Sequence, residues 1–260
     1  METTFKYNSL PEKEAEAKRP RMVVLTGAGI SEESGVPTFR TAEGLWTTYD
    51  WQLLASVEGW KENPAAVLDF YNMRRSNLLT VQPNHAHLLL AELEKWYDVT
   101  IITQNVDNLH ERAGSTDILH IHGEISKVTS SNNRNDANCI QELPLNTPLQ
   151  MGNLAADGSQ LRPYVVWFGE EVLDFQKALS IVRQADVFVV IGTSLTVEPA
   201  ASLLHYAPPT ARKFIINPGV SFDPYNERIA DEYEHISMKA TLGVEEMIDK
   251  LIQPKSVIRP

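Results

Sequence analysis

The chain has 260 residues, 43% of them hydrophobic and 22% charged, and a net charge of −11, the balance of a soluble globular protein. No apolar run reaches the ~18–20 residues that cross a bilayer, the first 20 residues hold no signal-like apolar core, and no basic stripe carries interleaved aromatics. Membrane insertion and direct nucleic-acid binding are therefore not expected, and a cytoplasmic location is. Cys139 is the only cysteine, which excludes an internal disulfide and a cysteine-built zinc site within the chain.

Residues 1–20 form a polar, charged extension. From there, apolar runs alternate with helical patterns. Strands are expected at 22–26, 99–103, 117–121, 163–167, 186–191 and 212–216, and helices at 64–79, 84–96, 172–184, 198–205 and 243–252. Asn63-Pro64 supplies an N-cap and a first-turn proline, and Pro83-Asn84 opens the next helix in the same way. This alternation predicts an α/β fold, a parallel sheet with helices on both faces. Two segments break it. Residues 41–80 begin with Trp46, Tyr49, Trp51 and Trp60, and residues 124–162 are polar and poorly periodic. Both read as insertions that build a smaller module, with residues 21–260 otherwise one domain. The tail QPKSVIRP reads as frayed.

Chemistry concentrates at the ends of the expected strands. MVVLTGAG is a buried strand running into Gly27-Ala28-Gly29, where the missing Cβ atoms let backbone N–H groups approach a pyrophosphate. An ordinary strand-to-helix turn would use the same glycines. A dehydrogenase fingerprint would place a third glycine at position 32, where Glu32 stands, and GLWTTYDWQLL lacks a following strand with an acidic end. The pattern suggests a dinucleotide held for something other than hydride transfer. TQNVDNLH follows the run VTII, where Asn105 and Asp107 suit either a ribose and carboxamide or a helix cap. In HIHG, alternation places His120 and His122 on one strand face, where either is a candidate base, although a structural histidine is the commoner reading for one taken alone. His85, His87 and His110 read as structural. LRPYVVWFGE is an apolar strand ending in an aromatic pair and a glycine, which suits either core alone or an edge that pairs with an extended peptide. Gly192-Thr193-Ser194 and Asn217-Pro218-Gly219 end two more strands.

Together, GAGISEESGVPTFR, TQNVDNLH, HIHG, LRPYVVWFGE, GTSLTVEPAA and INPG resemble the sirtuin (Sir2) family of NAD-dependent protein lysine deacylases, with a weaker continuation through KATLGVEEMI. The resemblance implies a Rossmann-like sheet with a smaller inserted domain, and NAD consumed as a co-substrate. It assigns Gly27, Ala28, Gly29, Ile30, Glu33, Thr38, Phe39, Arg40 and Trp46 to the cofactor loop. Gln104, Asn105, Val106 and Asp107 fall at the nicotinamide ribose and carboxamide, and Gly192, Thr193, Ser194, Asn217, Pro218, Gly219 and Ala240 at the rest of the cofactor. It makes His122 the general base and Asn105 a second catalytic residue. Val166, Trp167, Phe168, Gly169 and Glu170 would hold an acylated-lysine protein substrate. In the implied reaction nicotinamide leaves as the acyl oxygen attacks the ribose. His122 then deprotonates a ribose hydroxyl, and lysine and O-acyl-ADP-ribose are released.

The chain departs from the family pattern in two ways. Most sirtuins hold a structural zinc with two cysteine pairs. By position these fall near Ser130 and Asn133 and near residues 152–158, which hold no cysteine, so no metal is expected. The second departure concerns the acyl group. Thr38 replaces a common aspartate, Ala42 is small, and Tyr71-x-x-Arg74 has the spacing of sirtuins that remove succinyl, malonyl or glutaryl groups. At i and i+3 the two side chains share a helix face, and Arg74 suits a distal carboxylate. A surface arginine beside Arg75 is the plainer alternative. The resemblance favours a deacylase preferring acidic acyl groups, with some deacetylation. A mono-ADP-ribosyltransferase and a catalytically silent NAD or ADP-ribose binding module are the alternatives.

Overall fold

The computed structural model describes residues 18–38, 49–195, 197–219 and 231–252. Its main element is a six-stranded parallel sheet. The strands are β1 (Arg21–Thr26), β2 (Asp98–Thr103), β3 (Ile118–His120), β7 (Val187–Ile191), β8 (Arg212–Ile216) and β9 (Glu234–Ile236), in the order β3-β2-β1-β7-β8-β9. Strands β1 and β7 run side by side, with Met22 opposite Val187 and Thr26 opposite Ile191. The chain leaves β1 toward one edge and later returns to β7, so the strand order reverses between them. Ligands of open α/β sheets bind at the carboxyl ends of strands at such a reversal.

The strands are apolar on both faces because both faces are covered. Met22 and Val24 pack with Leu89, Leu90, Phe214, Val244 and Met247 on one side, under α5 (His85–Leu93) and α8 (Ala240–Ile252). Val23 and Leu25 pack with Phe188, Val190 and Ile215 on the other, under α7 (Phe175–Val182) and a 3₁₀ helix at Ala200–Tyr206. The 3₁₀ helix stands where an α-helix over 198–205 was expected.

The second sheet is antiparallel and small. It consists of β4 (Gly123–Ser130), β5 (Gln141–Glu142) and β6 (Leu161–Val165), in the order β5-β4-β6. Helix α4 (Pro64–Leu78) packs on it through Val67, Phe70 and Tyr71, joined by Ile125, Val165 and Trp167. The short helices α2 (Trp51–Leu54) and α3 (Val57–Glu62) precede it. Asn63 caps α4 and Asn84 caps α5, each accepting a backbone N–H with its side-chain oxygen, as the sequence predicts. The strand expected at 163–167 lies two residues early and belongs to this sheet rather than the parallel one. Residues 166–170 form a loop instead, with the Val166 N–H bonded to the His122 carbonyl and the Phe168 N–H to that of Ala55. The remaining short elements, α1 (Gly29–Glu32) and α6 (Leu109–Ala113), follow β1 and β2.

Candidate active site

Two glycine turns meet where the strand order reverses. The Gly27 N–H donates to Ile191 O at 2.9 Å, and the Gly29 N–H to Gly192 O at 2.8 Å. A Cβ on Gly27 would lie 2.8 Å from the Gly192 carbonyl, and one on Gly29 2.7 Å from Gly192 Cα. Gly192 itself has φ +63°. These glycines are therefore required by the approach of one loop to the other. Their N–H groups are bonded across the turn, not held ready for a pyrophosphate.

The loop after β2 is fixed from several sides. Asn105 Nδ2 donates to Gly27 O at 3.1 Å, and the Asn105 N–H to Thr103 Oγ1 at 3.0 Å. Asp107 accepts from the Ser31 hydroxyl at 3.1 Å and the Leu109 N–H at 3.1 Å. Burial raises the Asp107 pKa, and these two hydrogen bonds oppose that rise. Gln104 Nε2 donates to Thr193 Oγ1 at 3.2 Å, and Asn217 Nδ2 to Thr193 O at 2.8 Å. The ends of β2, β7 and β8 are thus tied into one polar surface.

The two histidines of HIHG grip adjacent carbonyls of that loop. His122 Nδ1 lies 3.0 Å from Gln104 O, and His120 Nδ1 lies 3.1 Å from Asn105 O. A carbonyl only accepts, so each Nδ1 carries the proton. The neutral His122 ring therefore leaves Nε2 as a bare acceptor. Burial lowers its pKa, partly offset by the Gln104 carbonyl. His120 differs, because its Nε2 lies 2.7 Å from Glu111 Oε1. Burial works against its charge, but Glu111, Glu124 and the Asn105 carbonyl outweigh it and raise the pKa. The two neighbours are thus shifted in opposite directions, His122 toward the neutral ring by burial and His120 toward the protonated one by Glu111. Strand β3 ends at His120, so the two do not form an alternating strand pair as the sequence suggested.

A cavity of about 590 Å³ opens against this surface. It is lined by Gly27, Ala28, Gly29 and Thr38 from the first loop, Gln104, Asn105 and Val106 from the second, and His122. Gly192, Thr193, Ser194, Asn217, Pro218, Gly219 and Ala240 also line it. So do Tyr71, Arg74, Val166, Trp167, Phe168, Gly169 and Glu170. Three expected site residues stand behind the wall. Ile30 is fully buried in the core, Asp107 braces Asn105 through Ser31, and Glu33 accepts from the N–H and hydroxyl of Thr241 at the start of α8. Phe39, Arg40, Ala42 and Trp46 lie outside the described residues.

The structure adds residues that the sequence did not mark. Ser31 joins Asn105 to Asp107, and Glu32 and Lys239 line the cavity 3.6 Å apart. Arg74 and Arg75 have different surroundings. Arg74 lines the cavity, half-buried, its guanidinium carbon 5.8 Å from the centres of the Phe70 and Tyr71 rings. Burial lowers its pKa, opposed by Tyr71 and Asp107. Arg75 is buried and donates to the carbonyls of Ile125, Leu143 and Pro144.

A Sir2 family model matches residues 27–199. The chain is 51% identical over 232 residues to an NAD-dependent protein deacylase of Bacteroides thetaiotaomicron, covering 89% of this chain and 97% of that one. The chain belongs to the Sir2 family. Among solved structures it is similar to a Sir2 homologue mutant–ADP-ribose complex (TM-score 0.78, 36% identity, 94% of this chain and 96% of that chain). It is also similar to a Sir2 homolog–NAD complex (TM-score 0.75, 36% identity, 91% and 92%). The parallel sheet is thus the Rossmann-like sheet of this family. Among the described residues no group of three or more His, Cys, Asp or Glu gathers as a metal site, and no helix is long and apolar enough to cross a membrane.

Proposed function

We propose that this Sir2-family chain is an NAD-dependent protein-lysine deacylase that prefers succinyl, malonyl or glutaryl groups and retains some deacetylation. One observation carries the reading. A single cavity joins His122, the Gln104–Asn105 loop and the Tyr71–Arg74 pair.

The donor set fits NAD. Hydroxyls of Thr193 and Ser194 and amides of Gln104, Asn105 and Asn217 suit two riboses and a carboxamide. Bound NAD supplies an activated ribose with nicotinamide as its leaving group. Asn105 has its amide nitrogen committed to Gly27 and Ser31, so its Oδ1 remains as the acceptor. His122 takes a ribose hydroxyl proton on Nε2, its tautomer fixed by Gln104. The loop 166–170 receives the peptide, and Tyr71 and Arg74 receive the distal end of the acyl group. A carboxylate drawn from water needs such a cation, and an acetyl group gains nothing from it. Residues 21–260 act as one catalytic unit, with the small sheet and α4 forming the acyl wall, in a cytoplasmic enzyme.

The test is a product analysis by mass. The protein, NAD and a succinyl-lysine peptide should yield nicotinamide, O-succinyl-ADP-ribose and unmodified peptide in step. Nicotinamide release with ADP-ribose on protein and no need for an acylated peptide would make the chain a mono-ADP-ribosyltransferase. NAD binding without turnover would make it a silent binding module.

A further inference from the structure

Tyr71 is almost fully buried, and its hydroxyl lies 3.1 Å from Trp167 Nε1. An indole nitrogen only donates. The Trp167 N–H therefore fills an acceptor site on the phenol oxygen, and the phenol proton must point to another acceptor. Burial raises the Tyr71 pKa, so the proton is retained at neutral pH. Arg74 lies on the same stretch of cavity wall.

Trp167 is itself held on three sides. Its backbone N–H donates to Glu170 Oε2 at 2.8 Å, the Arg162 guanidinium carbon lies 3.2 Å from its ring centre, and Trp60 packs against it at 5.3 Å. Glu170 is bound in turn by Arg162 at 2.6 Å and Arg134 at 3.0 Å. The indole is fixed by the loop proposed to receive the peptide, and it fixes the tyrosine proposed to receive the acyl group.

We propose that Trp167 is a specificity-determining residue that turns the Tyr71 hydroxyl proton toward the acyl terminus, making the tyrosine a donor that a carboxylate can use. The proposal rests on the acidic-acyl reading above. A butyryl group matches a succinyl group in length and carries no acceptor at its end. The ratio of kcat/KM for succinyl- over butyryl-lysine peptide therefore isolates the effect.

Trp167→Phe keeps an aromatic ring and removes the N–H. It should lower the ratio about five-fold, the scale of one neutral hydrogen bond. Tyr71→Phe should lower it at least as far, and the double variant no further than Tyr71→Phe alone. Trp60→Phe disturbs the packing on Trp167 but keeps the bond, so the ratio should hold. A ratio unchanged in Trp167→Phe while it falls in Tyr71→Phe would overturn the proposal. So would additive losses, or a fall in Trp60→Phe equal to that in Trp167→Phe. An unchanged ratio in both Tyr71→Phe and Arg74→Met would overturn the acidic-acyl reading, and this proposal with it. A second measurement needs no change at Trp167. With NAD present, its indole N–H resonance should shift when succinyl-lysine peptide is added and move less with the butyryl peptide. Equal shifts would count against the proposal.

Discussion

Strands β1, β7 and β8 bury nearly every side chain between two apolar layers, whereas the small sheet closes over side chains that carry charge or hydroxyls. In the parallel sheet the stabilising term is apolar area removed from water, which is non-directional and spread over many residues. In the small sheet a few polar side chains tie distant backbone together. Arg75 binds the carbonyls of 143 and 144, and Asn72 makes two bonds of 2.8 Å to Leu149. Arg134 and Arg162 converge on Glu170. Ser130 Oγ donates to Asp157 at 2.6 Å, lies 2.9 Å from Ser159 Oγ and accepts the N–H groups of Asn132 and Asn133. The site between the two draws a rigid floor from the first and a wall of specified side chains from the second. Polar ties of this kind add little when complete and cost much when one partner is lost.

The comparison breaks most sharply at His122. His122→Ala should reduce turnover by ~10²–10⁴, the usual cost of losing a general base. The melting temperature should hardly change, because the ring contributes one hydrogen bond to the floor. Since burial lowers its pKa, the acid limb of the parental kcat/KM profile should fall below the ordinary histidine value of 6.5. Parental activity in the variant would remove His122 from the mechanism.

Glu170→Ala tests the other region. It leaves Arg162, only 5% exposed, without its carboxylate, and the cost should be about 3–5 kcal/mol in denaturant unfolding. A loss below about 1 kcal/mol would show that the small sheet does not depend on this cluster.

The floor has its own polar exception, and acid should find it. His87 is fully buried with neither ring nitrogen hydrogen-bonded, 4.9 Å from the His110 ring. Burial lowers the His87 pKa to about 4, while the unfolded chain binds the proton near 6.5. The unfolded state therefore holds more protons between those values. The stability that neutral His87 contributes should be full above pH 6.5 and decline as pH falls toward 4, by about 3 kcal/mol for this residue. Urea unfolding at pH 7.5 and 4.5 measures the difference, and His87→Leu should shrink it. The same slope in that variant would assign the acid sensitivity elsewhere.

The smallest expected effect concerns Ser130. Ser130→Ala removes the centre of the hydroxyl cluster and should cost about 1–2 kcal/mol. The purified protein should contain no stoichiometric zinc, and a chelator should not unfold it. Bound zinc lost together with this serine would replace the hydroxyl account with a metal one.

The two regions were unequally legible in the sequence. Apolar runs of five or six residues marked β1, β2, β7 and β8 to within a residue, because both faces of those strands are buried. Glycines and small polar residues at their ends marked the site. β4 escaped because its register shifts between Glu124 and Val128, which breaks the alternation that would have shown it. The buried role of Arg75 escaped too, since no pattern separates a stapling arginine from a solvated one. Ser31 lay in the quoted motif, but its bonds to Asn105 and Asp107 need the fold to bring residues more than 70 positions apart together. That Tyr71 and Arg74 share one helix face was legible from their i, i+3 spacing alone, and both line the cavity.

The most direct test of acyl selection is the rate of nicotinamide release with NAD and peptides of one sequence, carrying succinyl- or acetyl-lysine, in the parental protein and in Arg74→Met. The parental enzyme should prefer the succinyl peptide. The variant should lose ~1.5–3 kcal/mol of that preference, the scale of a hydrogen bond to a charged group. A parental preference for acetyl, or equal losses on both peptides in the variant, would contradict the assignment of Arg74 and Tyr71 to an acidic acyl group.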